Sequence, residues 1–356
     1  MHLSEIKHRV LKLLRPPRQL RFTPEGTRFV IVALAIGVAA INTGNNLLYL
    51  ILAMMLSMIT LSGILSESSL RMVEIKRGLP KVAFAGKPFL VKITALNNKR
   101  RFPSISLTFQ DHMDEKREAG SRYFLKIPPN ASESGNYHFT LEGRGLHRFR
   151  HGRLATKYPF GLFLKSKDAG DESEILVYPK ILDARELLRE TGIDEGELES
   201  SIKGRGSDLY GLRSYVSGDD RRAIHWKTSA RLSKLYIREF AREDARKVTL
   251  LLDDCIPEGL EESLEKGIVI TASLASHFLY KGYQVGLVTS GEEISLGIGK
   301  EQLFRILRAL ALLSPCNERG KLLAWIETGG VLILPYDSQA WKGKEGSFSK
   351  VIKVTP

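Results

Sequence analysis

Cysteine is nearly absent from this 356-residue chain, which holds only Cys255 and Cys316. Two thiols exclude a disulfide-stapled scaffold and a structural zinc site, and they fit a reducing compartment. The short motifs of several enzyme classes are missing as well. None of the Gly-Lys pairs (Gly86-Lys87, Gly299-Lys300, Gly320-Lys321, Gly343-Lys344) has the following Ser or Thr and the upstream glycine of a phosphate-binding loop. There is no G-x-S-x-G nucleophile turn and no H-E-x-x-H helix. Cys255, at the end of an apolar run, reads as inert packing rather than a nucleophile. The sequence therefore gives no catalytic residue and no cofactor, and it reads as a non-enzyme. Hydrophobic residues at 43% and charged residues at 26% exclude a disordered or collagen-like chain, and the length fits two or three domains.

What is present begins with two apolar runs. Residues 29–41 carry no charge, and residues 47–65 are apolar for nearly 19 positions. A spanning helix needs about 20 residues. The second run meets that length, and the first does if it starts near Pro24, a residue that suits a first helical turn. Asn42-Thr43-Gly44-Asn45-Asn46 is the polar turn between them. A long basic arm before the first run and the lack of a cleavage site argue against a signal peptide. The expectation is a transmembrane α-hairpin at 24–66, preceded by a basic juxtamembrane arm at 1–23.

Charge sets its orientation. Lys7, Arg9, Lys12, Arg15, Arg18, Arg21 and Arg28 precede the hairpin, Arg71, Lys76, Arg77 and Lys81 follow it, and the turn has none. Positive flanks belong on the cytoplasmic side, so the expected place is the inner membrane, multi-pass, with the soluble domains in the cytoplasm. The bilayer is then the first partner. Leu3, Ile6, Val10 and Leu13 lie at helical spacing in the arm, which leaves an interfacial helix or a disordered arm as alternatives.

Residues 67–180 show a period of two. Ile105, Leu107 and Phe109 alternate with Ser104, Ser106 and Thr108; Phe89, Val91 and Ile93 share a face, as do Tyr123, Leu125 and Ile127, and Tyr137, Phe139 and Leu141. Turns at 85–88, 96–98 and 128–130 separate them, which predicts an antiparallel β-sandwich. His147 and His151 are spaced to share a strand face, but without a third ligand they read as solvated. Residues 181–203 form an acidic linker, a short helix and then a mobile stretch. From 204 to 356 a signature segment leads into an α/β domain. Apolar strands near 248–252, 285–288, 294–296 and 331–334 alternate with helices near 260–280 and 301–313, so the sheet is expected to be largely parallel with helices on both faces.

The signature concentrates arginine among acids: Arg213, Tyr215, Gly218, Asp219, Arg222, His225, Trp226, Ser229, Arg231 and Glu239. Ser217, Asp219 and Asp220 suit a helix start. The arginine fork suits a carboxylate or phosphate partner, but equally an internal ion-pair network joining linker to sheet. Both readings stay open, and His225-Trp226 reads as packed rather than reactive. These residues carry a resemblance. Leu212, Arg213, Tyr215, Gly218, Asp219, Arg222, Ile224, Trp226, Ser229, Ala230 and Arg231 resemble the signature of the bacterial domain-of-unknown-function fifty-eight family, whose β domain ends in an element like residues 159–163 here.

The resemblance implies a membrane-anchored scaffold or adaptor with a von Willebrand factor A-like α/β domain, associated with a MoxR-type AAA+ ATPase. Such domains often hold Mg²⁺ through D-x-S-x-S. Here Asp253 keeps the carboxylate but Cys255 and Pro257 replace the hydroxyls, so the site is read as degenerate and no metal is expected. The leading expectation is a non-enzymatic adaptor, with the signature as its partner-binding surface. The alternative is an anionic-ligand binder, for nucleic acid or phospholipid headgroups, suggested by 53 basic against 40 acidic residues. Much of that excess sits in the membrane flanks, and the signature has few aromatics for base stacking, so nucleic acid is not the expected partner.

Overall fold

The computed structural model describes residues 18–113, 117–191, 211–215, 229–230, 234, 236–239, 247–316, 322 and 330–354. The apolar positions of the basic arm, the linker beyond 191 and most of the signature lie outside them. Two compact units emerge, residues 1–142 with 146–177, and residues 143–145 with 178–356.

In the first unit, strand β1 (Arg18–Phe22) leads into helix α1 (Pro24–Thr43), and α2 (Asn46–Leu70) follows. The first helix starts at Pro24 as expected. The Thr23 hydroxyl accepts from the Gly26 amide at 2.9 Å, and Gly44 ends the helix at φ 65°. The Asn45 carboxamide oxygen then accepts from the Leu47 amide and opens α2. Both helices are long and apolar enough to cross a membrane. Ile31, Leu34, Val38, Leu50, Met54 and Ile64 are exposed along them, a surface suited to lipid.

The rest of this unit is antiparallel: β2 (Val73–Gly78), β3 (Ala83–Phe84), β4 (Phe89–Asn97), β5 (Ser104–Met113), β6 (Arg117–Ile127), β7 (Ser132–Phe139), β8 (Gly145–Phe149), β9 (Gly152–Thr156), β10 (Phe163–Ala169) and β11 (Ser173–Tyr178). One sheet runs β1-β10-β9-β5-β8-β11-β3 with β6 paired to β5, and the other runs β2-β4-β7. Val91, Ile93, Leu107, Phe109, Leu154 and Val177, drawn from both sheets, are buried in one core. Alternation is borne out in β4, where Phe89, Val91 and Ile93 point inward.

It fails in two places. Ser106 has φ 53°, a left-handed kink, so Ser104 is buried and Ile105 lies off the core face. On β6, Tyr123 and Leu125 are exposed at 50% and 71%, while Phe124 and Ile127 are buried. His147 and His151 do not share a strand either: the first is in β8, the second in the turn after it, with its Nδ1 2.6 Å from the Gly170 carbonyl.

Two polar devices hold this unit. Arg77 Nε and Nη2 grip the Asp111 carboxylate at 2.9 and 2.5 Å, with both side chains buried. Nη1 donates to the Asp171 carbonyl and Ser173 Oγ, the Tyr137 hydroxyl donates to Asp111 at 2.7 Å, and the guanidinium lies 5.1 Å over the Phe149 ring. Burial, followed by the bond to Asp111, raises the Tyr137 pKa well above its ordinary value. At the far end of α2, Ser62, Ser66, Ser69 and Leu70 are buried where the helix packs on β5, β9 and β10. Lys99 Nζ donates to the Ser68 carbonyl (2.6 Å) and to Ser104 Oγ (2.7 Å), so a lysine from a sandwich loop caps the helix's last carbonyls. Burial, with the charge of Lys167 second, lowers the Lys99 pKa to about 8.

The second unit begins with α3 (Ala184–Thr191), whose start is capped by Asp183 Oδ1 accepting from the Glu186 amide. Strands β12 (Gly211–Ser214) and β13 (Tyr236–Glu239) form an antiparallel ribbon. The α/β core comprises β14 (Lys247–Leu252), α4 (Glu261–Tyr280), β15 (Gln284–Val288), β16 (Glu293–Gly297), α5 (Gly299–Leu312), β17 (Val331–Leu334) and β18 (Lys350–Lys353). Sheet order is β16-β15-β14-β17-β18, parallel except for the edge strand β16. Every residue of β17 is buried, as a strand covered on both faces requires.

The expected helix on each face is not met among the described residues. Helices α4 and α5 pack on one another. Leu251, Leu332 and Leu334 instead meet Leu322, Trp341 and Phe348, the last two from the short 3₁₀ turns at 339–347 and the residue after them. Apolar turns can fill that layer because a buried tryptophan contributes a large apolar surface, and Trp341 is fully buried there.

Candidate functional site

Open parallel sheets bind ligands at the carboxyl ends of their strands, where the strand order reverses direction. Here that point is β14, with β15 on one side and β17 on the other. The residues leaving it are Asp253, Asp254 and Cys255, all buried. They sit there because a buried parallel strand ends abruptly in polar residues, and each finds a partner within the fold. Asp253 Oδ2 accepts from Trp341 Nε1 at 2.7 Å and its Oδ1 from the Cys255 amide at 3.2 Å. Asp254 accepts twice from Ser290, at the end of β15: from the amide at 2.9 Å and from Oγ at 2.6 Å. Cys316, beyond α5, donates its amide to the Asp254 carbonyl at 3.2 Å.

Its sulfur lies 2.7 Å from Cys255 Sγ and 2.8 Å from Ser290 Oγ. Burial above all, then the Cys316 contact and the two aspartates, push the Cys255 thiol up to about 12. A thiol so raised is a weaker nucleophile than a free one, which leaves the less buried Cys316 as the sulfur open to reagents.

Asp254, Cys255 and Cys316 offer ligand atoms within 4.8 Å of one another. Two sulfurs beside the carboxylate do not suit Mg²⁺, which takes oxygen donors, and the Asp253 carboxylate is turned to Trp341. A softer ion such as Zn²⁺ suits thiolates better, but two thiolates on one tetrahedral zinc stand roughly 3.7 Å apart, given Zn–S bonds of about 2.3 Å. At 2.7 Å the two sulfurs stand too close to be separate ligands of one such ion, and near enough to be joined by an oxidant. Treatment with hydrogen peroxide should therefore join Cys255 to Cys316: two thiols lose two hydrogens and the peroxide becomes two waters. Thiol titration of the denatured, treated chain should fall from two groups to none without dimers. Two titratable thiols after treatment would refute the pairing.

The signature is only partly within the described residues. Arg213 lies in β12 opposite Ile237, and Glu239 ends β13 opposite Gly211. Tyr215 follows β12, half-buried. Ser229 is buried, and its hydroxyl both accepts from the Tyr236 amide at 2.8 Å and donates to the Tyr236 carbonyl at 3.4 Å, holding the end of the ribbon. Gly218, Asp219, Arg222, His225, Trp226 and Arg231 lie outside the described residues. Sequence reasoning missed the Cys255–Cys316–Ser290 cluster. Its members are dozens of residues apart, and the only available signal was that the sole two cysteines follow the ends of apolar elements.

Residues 211–330, which hold the ribbon, β14 and the cysteine cluster, match the family described as "Protein of unknown function DUF58". The likeness to that family rests on this region, about a third of the chain. An uncharacterized protein of Bacillus subtilis (strain 168), YeaD, is 27% identical over 263 residues, 70% of this chain and 65% of its own length. The match thus spans less than two-thirds of that relative. Among solved structures, the CARDB domain of a Pyrococcus furiosus protein aligns at a TM-score of 0.21 and 10% identity, over 30% of this chain and 94% of that domain. A superoxide reductase (neelaredoxin) variant from Ignicoccus hospitalis aligns at 0.20 and 13%, over 31% and 84%. Neither likeness carries an argument about what the DUF58 region does.

Proposed function

We propose that this chain is a non-enzymatic adaptor fixed in the inner membrane, with its soluble units in the cytoplasm, and that its signature engages a MoxR-type AAA+ ATPase. The observation that carries the reading is the end of β14. Both aspartates at the point where an α/β sheet ordinarily meets a ligand are buried and engaged by Trp341, Ser290 and the Cys255 amide. That polar chemistry serves the fold, which supports a reading in which the α/β unit acts by binding through its surface. A parallel sheet with one antiparallel edge strand supports a von Willebrand factor A-like reading of this unit. The basic residues on both sides of the helical pair, against an uncharged turn, support cytoplasmic flanks.

The test is co-purification of the full-length chain in detergent, with and without Arg222→Ala. An AAA+ ATPase, identified by mass spectrometry, should be retained by the unchanged chain and fall at least about tenfold with the variant, a loss of about 1.4 kcal/mol or more. Equal recovery with both chains refutes the proposed surface. Nucleic acid retained with a steep salt dependence would favour the anionic-ligand alternative.

A further inference from the structure

A cleft of about 890 Å³ lies in the first unit where α2 ends against the loop between β4 and β5. Its walls have two characters. Arg71, Arg100 and Arg101 line it, all exposed, and among the described residues none of the three guanidiniums has an ion-pair or hydrogen-bond partner. The lysines in the same cleft are engaged: Lys99 caps α2, and Lys165 pairs with Glu67 at 2.6 Å. The other wall is apolar, with Ile64, Met72 and Phe102 exposed at 61%, 53% and 64%.

The cleft's position along α2 gives these walls meaning. The apolar run at 47–65 is about 28 Å long at 1.5 Å per residue, close to the roughly 30 Å hydrocarbon core. Six more residues reach Arg71, about 9 Å farther, roughly the depth of a headgroup layer. Ile64 therefore stands at the edge of the hydrocarbon and Arg71 at the level of the phosphates. Phe102 suits the boundary between them, where aromatic side chains collect.

We propose that this cleft is a binding site for an anionic phospholipid, its phosphate held by Arg71, Arg100 and Arg101 and its acyl chains lying along α2 at Thr60 and Ile64. Guanidinium forks hold phosphate oxygens in pairs, and three of them without partners among the described residues are free to take an anion from outside the chain. The apolar wall continuous with the lipid-facing side of α2 selects a lipid over a free ion, which would have no use for it. The site is independent of the adaptor reading, since it involves no residue of the signature.

The full-length chain would be purified in mild detergent from vesicles of equal parts phosphatidylglycerol and phosphatidylcholine, and the retained lipid measured by mass spectrometry. The unchanged chain should retain phosphatidylglycerol at least about tenfold over phosphatidylcholine. Arg71→Gln/Arg100→Gln/Arg101→Gln should return the ratio to that of the vesicles with the melting temperature unchanged. If the triple variant misfolds, Arg100→Gln/Arg101→Gln, confined to the loop, should lower the ratio in the same direction. A vesicle-like ratio in the unchanged chain overturns the site. So does full displacement of the lipid by inorganic phosphate, which would make the cleft a free-anion site.

Discussion

An Asp111→Ala chain should lose about 3–5 kcal/mol of stability in the first unit, because removing one partner of a buried ion pair leaves the other charge without compensation. Arg77 would keep its bonds to the Asp171 and Arg150 carbonyls and to Ser173, but its guanidinium would be buried with no carboxylate. Tyr137 would lose its acceptor as well. At about 2–4 °C per kcal/mol for a unit of this size, the expected fall in melting temperature is on the order of 10 °C. Hydrogen exchange of peptides from 73–178, in the full chain in detergent, is the measurement. The pair is there for geometry more than for energy, since apolar replacement of both members is often neutral. Arg77→Met/Asp111→Leu should therefore recover much of the loss. A double variant as unstable as the single would show that the surrounding carbonyls, and not the ion pair, set the cost.

The second large effect belongs to the other unit. Trp341→Phe keeps an aromatic ring in the layer beneath Leu251 and Leu332 but removes the indole N–H from Asp253. A hydrogen bond to a charged group contributes about 1.5–3 kcal/mol, and the smaller ring leaves a void in a fully buried position, so a loss of about 3 kcal/mol is expected. Asp253→Asn should cost less, because a carboxamide oxygen can still accept from the indole. Mg²⁺ should shift the melting temperature of none of these chains. An equal loss for Asp253→Asn and Trp341→Phe, or Mg²⁺-dependent melting abolished by Asp253→Ala, would mean that Asp253 serves something other than Trp341.

These two knots show what a sequence can and cannot disclose. The apolar helices, the strands of the parallel sheet and the inward face of β4 follow from local periodicity, which depends only on neighbours along the chain. Ser104 defeats that reasoning because a single left-handed residue, Ser106, shifts the face. Arg77 and Asp111, on different sheets, each look like an ordinary surface charge in an alternating strand, and the contact that buries them is tertiary. A second layer of helix over the parallel sheet is what βαβ units normally supply; Trp341 and Phe348 in short turns leave no periodic trace. Of the candidate site, Asp253 was legible as a carboxylate at a strand end. Its engagement by Trp341, 88 residues away, was not. The approach of Cys255 Sγ to Cys316 Sγ across 61 residues depends on the whole α4–α5 excursion returning to the same sheet edge.

The helical pair is fastened to the sandwich at both of its ends. At the start, β1 lies in register against β10, Thr23 Oγ1 donates to the Gly161 carbonyl at 2.6 Å, and the lack of a side chain on Gly26 lets α1 lie directly on the backbone of Leu162. At the finish, Lys99 and the Glu67–Lys165 pair clamp α2. Each junction is held by several contacts at once. Were the pair set in a bilayer, a change of tilt forced by thickness or curvature would be transmitted as a rotation of the sandwich, in the way a spanner turns with its handle. Mechanically the helical pair is a lever arm for the sandwich.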